Sequence, residues 1–291
     1  MIYLKKLQLA SLEAEGNFIV SLTRTCYNGI YPFKIFPDKA LERIKFAPIT
    51  IFSGSNGSGK TTLLNIIASG LQLIRHSAYN DSPFFDTYIK LCKFDYTTIP
   101  STSQMLTSDD VSDYLLNMRS LNNGIETRKV ELFEEYLDKK YKDNKLKSLE
   151  DYDRWKDIHD AKSMSQSQYV KNNLMRNIDM FSNGQTAMKY FTDRITENAL
   201  YLIDEPENSL SSAMQIDLEE YIIASAQHFK CQFIISTHSP FFLSIPGAKV
   251  IDLDSYPCVE KNWAELEHIQ AFYNFFKEHK SEIEKGLRKN N

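Results

Sequence analysis

A glycine-rich segment that carries one lysine has the clearest chemistry in this sequence. Residues 54–61 read GSNGSGKT and match the pattern G-x-x-x-x-G-K-[ST]. The backbone N–H groups of such a loop cradle phosphate oxygens, and the start of a following helix adds partial positive charge. Lys60 would supply a charge for the β- and γ-phosphates, and Thr61 a hydroxyl ligand for Mg²⁺. The residues predicted to contact a nucleoside triphosphate here are Gly54, Asn56, Gly57, Gly59, Lys60, Thr61 and Thr62.

Two adjacent acids follow a second apolar run, LYLI at residues 200–203. In open α/β sheets, ligands bind at the carboxyl ends of the strands, so Asp204 and Glu205 are expected at that edge. Asp204 is predicted to meet Mg²⁺ directly or through water, and Glu205 to polarise the water that attacks the γ-phosphate. An acid pair after a strand is as often a solvated strand end, but the glycine-rich loop earlier in the chain favours the catalytic interpretation.

The elements around these motifs predict how they are held. An apolar run at residues 47–52 precedes the glycine-rich loop, and apolar residues at helical spacing follow it in residues 63–71. Further strand patterns at residues 200–203 and 233–236 are separated by a helical pattern at 214–226. Short apolar strands that alternate with helices indicate a mostly parallel sheet covered on both faces.

The rest of the chain predicts a mixed α/β fold with additions. Alternating apolar residues from Ile2 to Leu9, and again at residues 18–20, predict antiparallel N-terminal strands. The prolines and dense mixed charge of residues 81–180 predict an inserted helical subdomain. Residues 1–80 and 181–260 are then the nucleotide-binding core of a single domain, and residues 261–291 a tail of one or two amphipathic helices.

Composition restricts the class of protein. The chain has 291 residues, 42% of them hydrophobic, and no apolar run long enough for a membrane span or a signal peptide, which predicts a cytoplasmic protein. The net charge of −4 argues against a broadly basic surface for nucleic acid, although a local basic patch is compatible with it. The scattered cysteines, read as reduced packing residues rather than as a zinc or disulfide framework, are Cys26, Cys92, Cys231 and Cys258.

The glycine-rich loop and five motifs that follow it occur in the order found in ABC-type ATPases, and this resemblance covers nearly the whole chain. Gln104 resembles the Q-loop glutamine of that family, and Gln72 is a weaker competitor for the same place. FSNGQ at residues 181–185 resembles the LSGGQ signature, with Phe181 and Asn183 replacing the usual leucine and glycine. PENSL at residues 206–210 resembles the D-loop, and STHSP at residues 236–240 the switch-histidine loop; the glycine-rich loop and Asp204–Glu205 correspond to the Walker A and Walker B motifs.

The resemblance implies a P-loop NTPase fold of the ABC-ATPase head type that binds ATP and Mg²⁺ and forms a head-to-tail homodimer with two composite sites. In that arrangement Ser182, Gly184 and Gln185 of one copy contact the ATP held by the other. His238 would hydrogen-bond the γ-phosphate and sense its loss. Gln104 would contact both the nucleotide and the metal.

Within the family, GSNGSGKTTLLNIIA, DEPENSLS and STHSPFFLSIPGAKVIDLD resemble the RecF, SMC and OLD branch, including compact stand-alone ATPases of bacterial anti-phage systems of the Septu and retron-associated types. This implies a switch ATPase that controls a separate effector, such as a nuclease or a DNA-repair complex. A transporter motor and a regulatory module that holds ATP without hydrolysis are the alternatives. The charged residues 126–162 are a candidate partner surface or simply a solvated helical face.

Overall fold

The structure, a computed structural model, describes residues 1–22, 29–141, 163–173 and 183–289. The chain forms two compact units. The sheet unit comprises Met1–Val111 and Asn183–Asn291, and the helical unit comprises Ser112–Ser182. The strands are β1 (Leu4–Gln8), β2 (Arg43–Lys45), β3 (Ile49–Ser53), β4 (Lys93–Tyr96), β5 (Gln104–Thr107), β6 (Leu200–Asp204), β7 (Gln232–Ser236), β8 (Lys249–Asp252) and β9 (Val259–Glu260).

Helices of very different lengths connect and cover these strands. Short 3₁₀ turns lie at Pro37–Lys39, Pro206–Ser209 and Trp263–Glu265. The α-helices are α1 (Leu12–Ser21), α2 (Lys60–Gly70), α3 (Phe85–Leu91), α4 (Ser108–Tyr141), α5 (Gln166–Asn173), α6 (Asn183–Arg194), α7 (Ser212–His228), α8 (Pro240–Leu243), α9 (Glu267–Glu278) and α10 (Lys280–Lys289).

The larger sheet has the strand order β5-β6-β7-β3-β8-β9 and is parallel except for β9, which runs antiparallel to β8. Every residue of β3, β6 and β7 is buried, as expected for central strands of a sheet covered on both faces. The apolar runs in the sequence thus became the three central strands. The mixed sheet with flanking helices confirms the predicted fold class.

A smaller antiparallel sheet with the order β2-β1-β4 confirms the first N-terminal strand prediction. The second, at residues 18–20, is wrong because these residues lie in α1. The Ser11 hydroxyl caps this helix by accepting from the backbone N–H of Ala14 at 3.2 Å. The Phe18 ring stacks on Phe33 at 4.6 Å while Val20 stays 84% exposed, so the helix packs through Phe18 and leaves Val20 in solvent.

The predicted start of the helical insertion at residue 81 is also wrong. Residues 81–111 belong to the sheet unit, where they form α3, β4, β5 and the first residues of α4. In the helical unit, Leu132 and Tyr136 of α4 pack against Tyr169 and Val170 of α5. The charged segment 126–162, predicted as a possible partner surface, includes exposed ion pairs on α4. Its residues 142–162 lie outside the described ranges.

The C-terminal tail forms two helices, α9 and α10, as the sequence predicted. No helix in the described ranges is both long and apolar enough to cross a membrane. Cys92, Cys231 and Cys258 are free thiols, and burial raises the pKa of Cys92 to about 12, which fits packing residues. Cys26 lies outside the described residues.

One buried glutamine ties the two sheets together. Gln232, at the start of β7, accepts from the backbone N–H groups of Tyr3 at 2.7 Å and Leu4 at 2.9 Å. Its amide nitrogen donates to the carbonyl oxygens of Leu4 at 2.9 Å and Ala47 at 3.1 Å. These bonds satisfy polar groups at the ends of β1 and β3 that have been removed from water.

We expect Gln232→Leu to lower the free energy of unfolding by about 3 kcal/mol or more, because several buried backbone groups lose their partner together. Urea denaturation measures this loss. Gln227→Leu, on the exposed end of α7, is the matched control and should change stability by less than about 0.5 kcal/mol. Equal effects of the two substitutions would contradict the role given to Gln232.

Candidate functional site

The glycine-rich loop connects the buried strand β3 to α2, as predicted. Gly59 has φ of +99°, which other residues rarely adopt, and a Cβ at Gly54 would lie 2.6 Å from the Ser58 hydroxyl oxygen. No side chain of the described residues caps the first turn of α2. The N–H groups at the start of this helix therefore face a space suited to an anion.

The Lys60 ammonium is the centre of the site. Lys60 is only 4% exposed, and its Nζ donates to the carbonyl oxygens of Gly54 at 2.8 Å and Ser55 at 3.2 Å. The same Nζ lies 2.7 Å from His238 Nε2 and 3.6 Å from Glu205 Oε1. The loops after β3, β6 and β7 thus converge on one buried cation.

His238 meets both charged partners of this centre. Its Nε2 lies 3.7 Å from Glu205 Oε1, and burial followed by the charge of Lys60 lowers the pKa of its imidazole. The ring is therefore neutral near pH 7, and the Nε2 lone pair accepts from the Lys60 ammonium, which has no lone pair to offer in return. This neutral state leaves the proton on Nδ1.

Asp204 and Thr61 form the part of the site suited to a metal. The Asp204 carboxylate accepts a hydrogen bond from the Ser236 hydroxyl, and Thr61 lines the same cavity as Asp204. Burial, as the largest cause, raises the pKa of Asp204. A buried carboxylate beside a hydroxyl offers the hard oxygen ligands that Mg²⁺ prefers, and a bound cation would stabilise the ionised acid. These residues therefore fit Mg²⁺.

The turn after β6 fixes Glu205 and adds a residue that the sequence did not single out. Glu205 has a left-handed backbone with φ of +48°, and the Asn208 side chain donates to its Oε2 at 3.0 Å. Glu207 is half-buried beside the switch loop, where its Oε1 accepts from the backbone N–H of His238 at 2.6 Å. Burial is the main reason that the pKa of Glu207 is raised. Glu207 thereby links the D-loop-like turn directly to His238.

Gln104 does not lie at this site, so its predicted contacts with nucleotide and metal are wrong. It begins β5, whereas the site lies at the carboxyl ends of the strands, and its Nε2 donates to the Arg194 carbonyl at 3.0 Å. The strand carries Thr107, rather than Gln104, to the position beside Asp204. Gln72 follows the far end of α2, roughly 16 Å along an 11-residue helix from Lys60, and does not replace it.

The other predicted contacts fall into two groups, one in the glycine-rich loop and α2 and the other at the start of α6. Asn56 and Gly57 are exposed at its tip, and the Thr62 hydroxyl accepts from Tyr31 at 3.1 Å. Gly184 and Gln185 open α6, where a Cβ at residue 184 would lie 2.4 Å from Met214 Sδ. Ser182 lies outside the described residues.

Two cavities flank the glycine-rich loop. One of about 440 Å³ is lined by Ser55, His238, Asp254 and His268, among others, and Asp254 accepts from the Ser55 hydroxyl at 2.8 Å. The other, of about 270 Å³, lies on the metal side and includes Thr61, Asn65, Arg75, Thr107, Asp109 and Asp204 in its lining. No sequence pattern indicates Asp254 or Asp109, because isolated acids near strand ends are common.

The raised pKa of Asp204 gives a testable pH dependence of stability. Because the folded protein holds this proton more tightly than the unfolded chain, its stability falls as pH rises from about 4 through the raised value. Asp204→Asn removes the titrating group and with it this loss of stability. Without nucleotide, we therefore expect the free energy of unfolding of Asp204→Asn to increase relative to that of the wild type as pH rises through this range. Urea denaturation at several pH values measures the difference in unfolding free energy between the variant and the wild type. For Asp217→Asn, at an exposed position of α7, the difference in unfolding free energy from the wild type should not grow with pH. If the difference between Asp204→Asn and the wild type became smaller as pH rose, the interpretation would be refuted.

Comparisons with known proteins agree with this geometry. A family model described as ABC transporter matches residues 43–208, more than half of the chain, and one described as AAA ATPase domain matches residues 176–243. No curated protein matches the sequence.

Two solved structures illustrate the structural likeness, although at TM-scores below 0.5 the assignment does not rest on them. An Smc head domain from Pyrococcus furiosus, bound to the C-terminal domain of ScpA, is 13% identical with a TM-score of 0.45, and the match covers 94% of this chain and 100% of that one. A dimeric ATP-binding cassette in a post-hydrolysis state, bound to ADP and Pi, is 16% identical with a TM-score of 0.38, covering 91% and 100%. The family match includes the Lys60 loop and the Asp204–Glu205 strand end, and the chain accordingly belongs to the ABC transporter family as an ATP-binding, ATP-hydrolysing P-loop protein.

Proposed function

We propose that this protein is a switch ATPase, in which ATP binding joins two copies head to tail and hydrolysis releases them. The observation that carries the proposal is the meeting of Lys60, Glu205 and His238 within 2.7 to 3.7 Å of one another. A cation, a carboxylate and a neutral imidazole at the open end of a phosphate-binding loop are the groups needed to hold, attack and sense a γ-phosphate.

Each residue has a defined task in this proposal. Lys60 and the N–H groups at the start of α2 bind the phosphates, and Glu205, oriented by Asn208, polarises the attacking water. Thr61 and Asp204 hold Mg²⁺, which neutralises charge on the phosphates when bound. His238 binds the γ-phosphate and reports its presence to the D-loop-like turn through Glu207.

The second copy would complete the site. Gly184 and Gln185 lie in the first turn of α6, and Ser182 precedes this helix in the sequence; the N–H groups of a helix start and a serine hydroxyl suit an anion. A γ-phosphate held between α2 of one copy and this turn of the other would contribute to binding only in the dimer. The affinity of the two copies would then depend on which nucleotide is bound.

The output of the switch is proposed to lie in a separate protein, such as a nuclease effector in anti-phage defence or a DNA-repair complex. The support is the resemblance of the motifs to that branch of the family, together with the exposed charged surface of α4. Arg128, for example, pairs with Glu131 and Glu135 in full contact with solvent. Exposed ion pairs of this kind contribute little to stability, which leaves them free to serve recognition.

A second candidate is the ATP-driven subunit of a membrane transporter. The specific observation in its favour is the match of residues 43–208 to the family model described as ABC transporter. Copurification of the chain with a membrane-embedded permease would favour this function over the control of a soluble effector.

We expect Glu205→Gln to trap an ATP-bound dimer. The amide keeps the size of the side chain but cannot accept the proton of the attacking water, so hydrolysis should fall by about 10²- to 10⁴-fold while ATP still binds. Phosphate release and size-exclusion chromatography with ATP measure the two effects. Lys60→Ala is the matched control: it should lose hydrolysis and also fail to dimerise, because the phosphates lose their buried cation.

Two outcomes of this experiment would sink the switch model. A Glu205→Gln protein that binds ATP but remains monomeric at every concentration would refute nucleotide-driven pairing. Equal, background-level phosphate release by the wild type and both variants would instead support a module that holds ATP without turnover.

A further inference from the structure

The turn that follows β5 lies beside the predicted metal ligands. In the parallel pairing of β5 with β6, Thr107 is the register partner of Asp204. The chain therefore leaves β5 at the same edge of the sheet, and on the same side of the glycine-rich loop, as the predicted metal ligands. The residues that follow Thr107 therefore lie on the metal side of the site, where the family resemblance predicts the side chain of a neutral glutamine.

Of the two acids in this turn, Asp110 is committed to the fold. Its Oδ2 accepts from the backbone N–H of Thr107 at 2.8 Å and from the Thr107 hydroxyl at 2.9 Å. The backbone N–H of Asp110 in turn donates to the Thr107 hydroxyl oxygen at 3.1 Å. This reciprocal pair fixes the start of α4, and Ser77 supports it by a hydrogen bond to the same hydroxyl at 3.1 Å.

Asp109 is placed differently. Its side chain is exposed, and it lines the 270 Å³ cavity together with Thr61 and Asp204. Hydrogen bonds between Thr107 and Asp110 hold the backbone on either side of Asp109. The carboxylates of Asp109 and Asp204 and the hydroxyl of Thr61 belong to residues that line one cavity, and they are oxygen ligands of the kind that Mg²⁺ binds through a small number of direct or water-mediated contacts.

We propose that Asp109 is a metal-positioning residue of the ATP site, holding Mg²⁺ directly or through water opposite Thr61 and Asp204. This inference rests on the proposed ATPase function and specifies the metal side of the same site. It replaces the neutral glutamine expected from the resemblance with an acid, so the site carries one more negative charge on its metal side.

The extra charge has opposite effects on ATP with and without metal. Two carboxylates on the metal side attract Mg²⁺, but without Mg²⁺ they repel the phosphates. The half-buried Arg75, whose guanidinium lies 3.7 Å from the centre of the Tyr79 ring and donates to Ser69 at 3.2 Å, adds positive charge to the same cavity. One arginine offsets only part of two carboxylates, so binding of ATP should depend strongly on the divalent cation.

The experiment compares the wild type with Asp109→Asn, measuring the affinity for a non-hydrolysable ATP analogue in excess Mg²⁺ and again in EDTA. We expect the substitution to weaken binding about 10-fold with Mg²⁺, as loss of a metal-positioning group does. In EDTA it should leave binding unchanged or strengthen it, since a repulsive charge has been removed. The electron paramagnetic resonance spectrum of Mn²⁺ with the analogue should also change on substitution.

Controls separate this role from the ordinary effect of an acid at a helix start, where Asp109 also interacts favourably with the dipole of α4. Asp113→Asn, exposed one turn further along α4, should leave both affinities unchanged. Asp109→Glu keeps the charge and should retain most of the Mg²⁺ dependence. Thermal denaturation confirms that the compared proteins are folded.

A parallel loss of affinity with and without Mg²⁺, or no change in either condition, would overturn the inference and leave Asp109 as a helix-end charge. The proposed switch function fails separately. If the wild type binds the ATP analogue in a Mg²⁺-dependent way through Asp109 but never pairs with a second copy, the metal assignment stands and the switch proposal is contradicted.

Discussion

A buried ammonium group determines the layout of this molecule. Lys60 has almost no contact with solvent, and a cation in that position must be surrounded by oxygen and nitrogen acceptors. It has two backbone carbonyls, Glu205 and His238 within reach because β6, β7 and β3 are neighbours in the sheet. Parallel strands end at one edge, so the loops after these three strands meet around the lysine. The site therefore depends on strand order as much as on any single motif.

The same constraint explains which predictions from the sequence succeeded. Central strands of a covered parallel sheet are continuous apolar runs, and the runs before Gly54, Asp204 and the switch loop are unmistakable in composition. Each apolar run is followed by a motif. Residues of these types in this order along a chain have few uses other than nucleotide chemistry. The helical segment of α7 and a helical C-terminal tail of one or two helices followed from apolar spacing alone.

The failed predictions concern features that are set by neighbours in space. The stretch at residues 18–20 is part of α1, which is capped by Ser11 and packs through Phe18 on Phe33. Gln104 was assigned from its place in the chain, yet a shift of three residues along β5 separates it from the edge that Thr107 reaches. Glu207 was placed only within the D-loop-like motif, since nothing in the chain order indicates that its carboxylate will accept from the backbone of His238.

The protonation state of His238 connects this geometry to a switch. With Lys60 at 2.7 Å, Nε2 must present its lone pair, and the lowered pKa keeps the imidazole neutral. A phosphate oxygen is an acceptor, so the same nitrogen can bind it only when it carries a proton. The contact with Lys60 and a contact with the γ-phosphate therefore exclude each other at Nε2 in this tautomer. Because the backbone of His238 is bonded to Glu207, whichever contact the ring makes is transmitted to the turn that follows the catalytic strand.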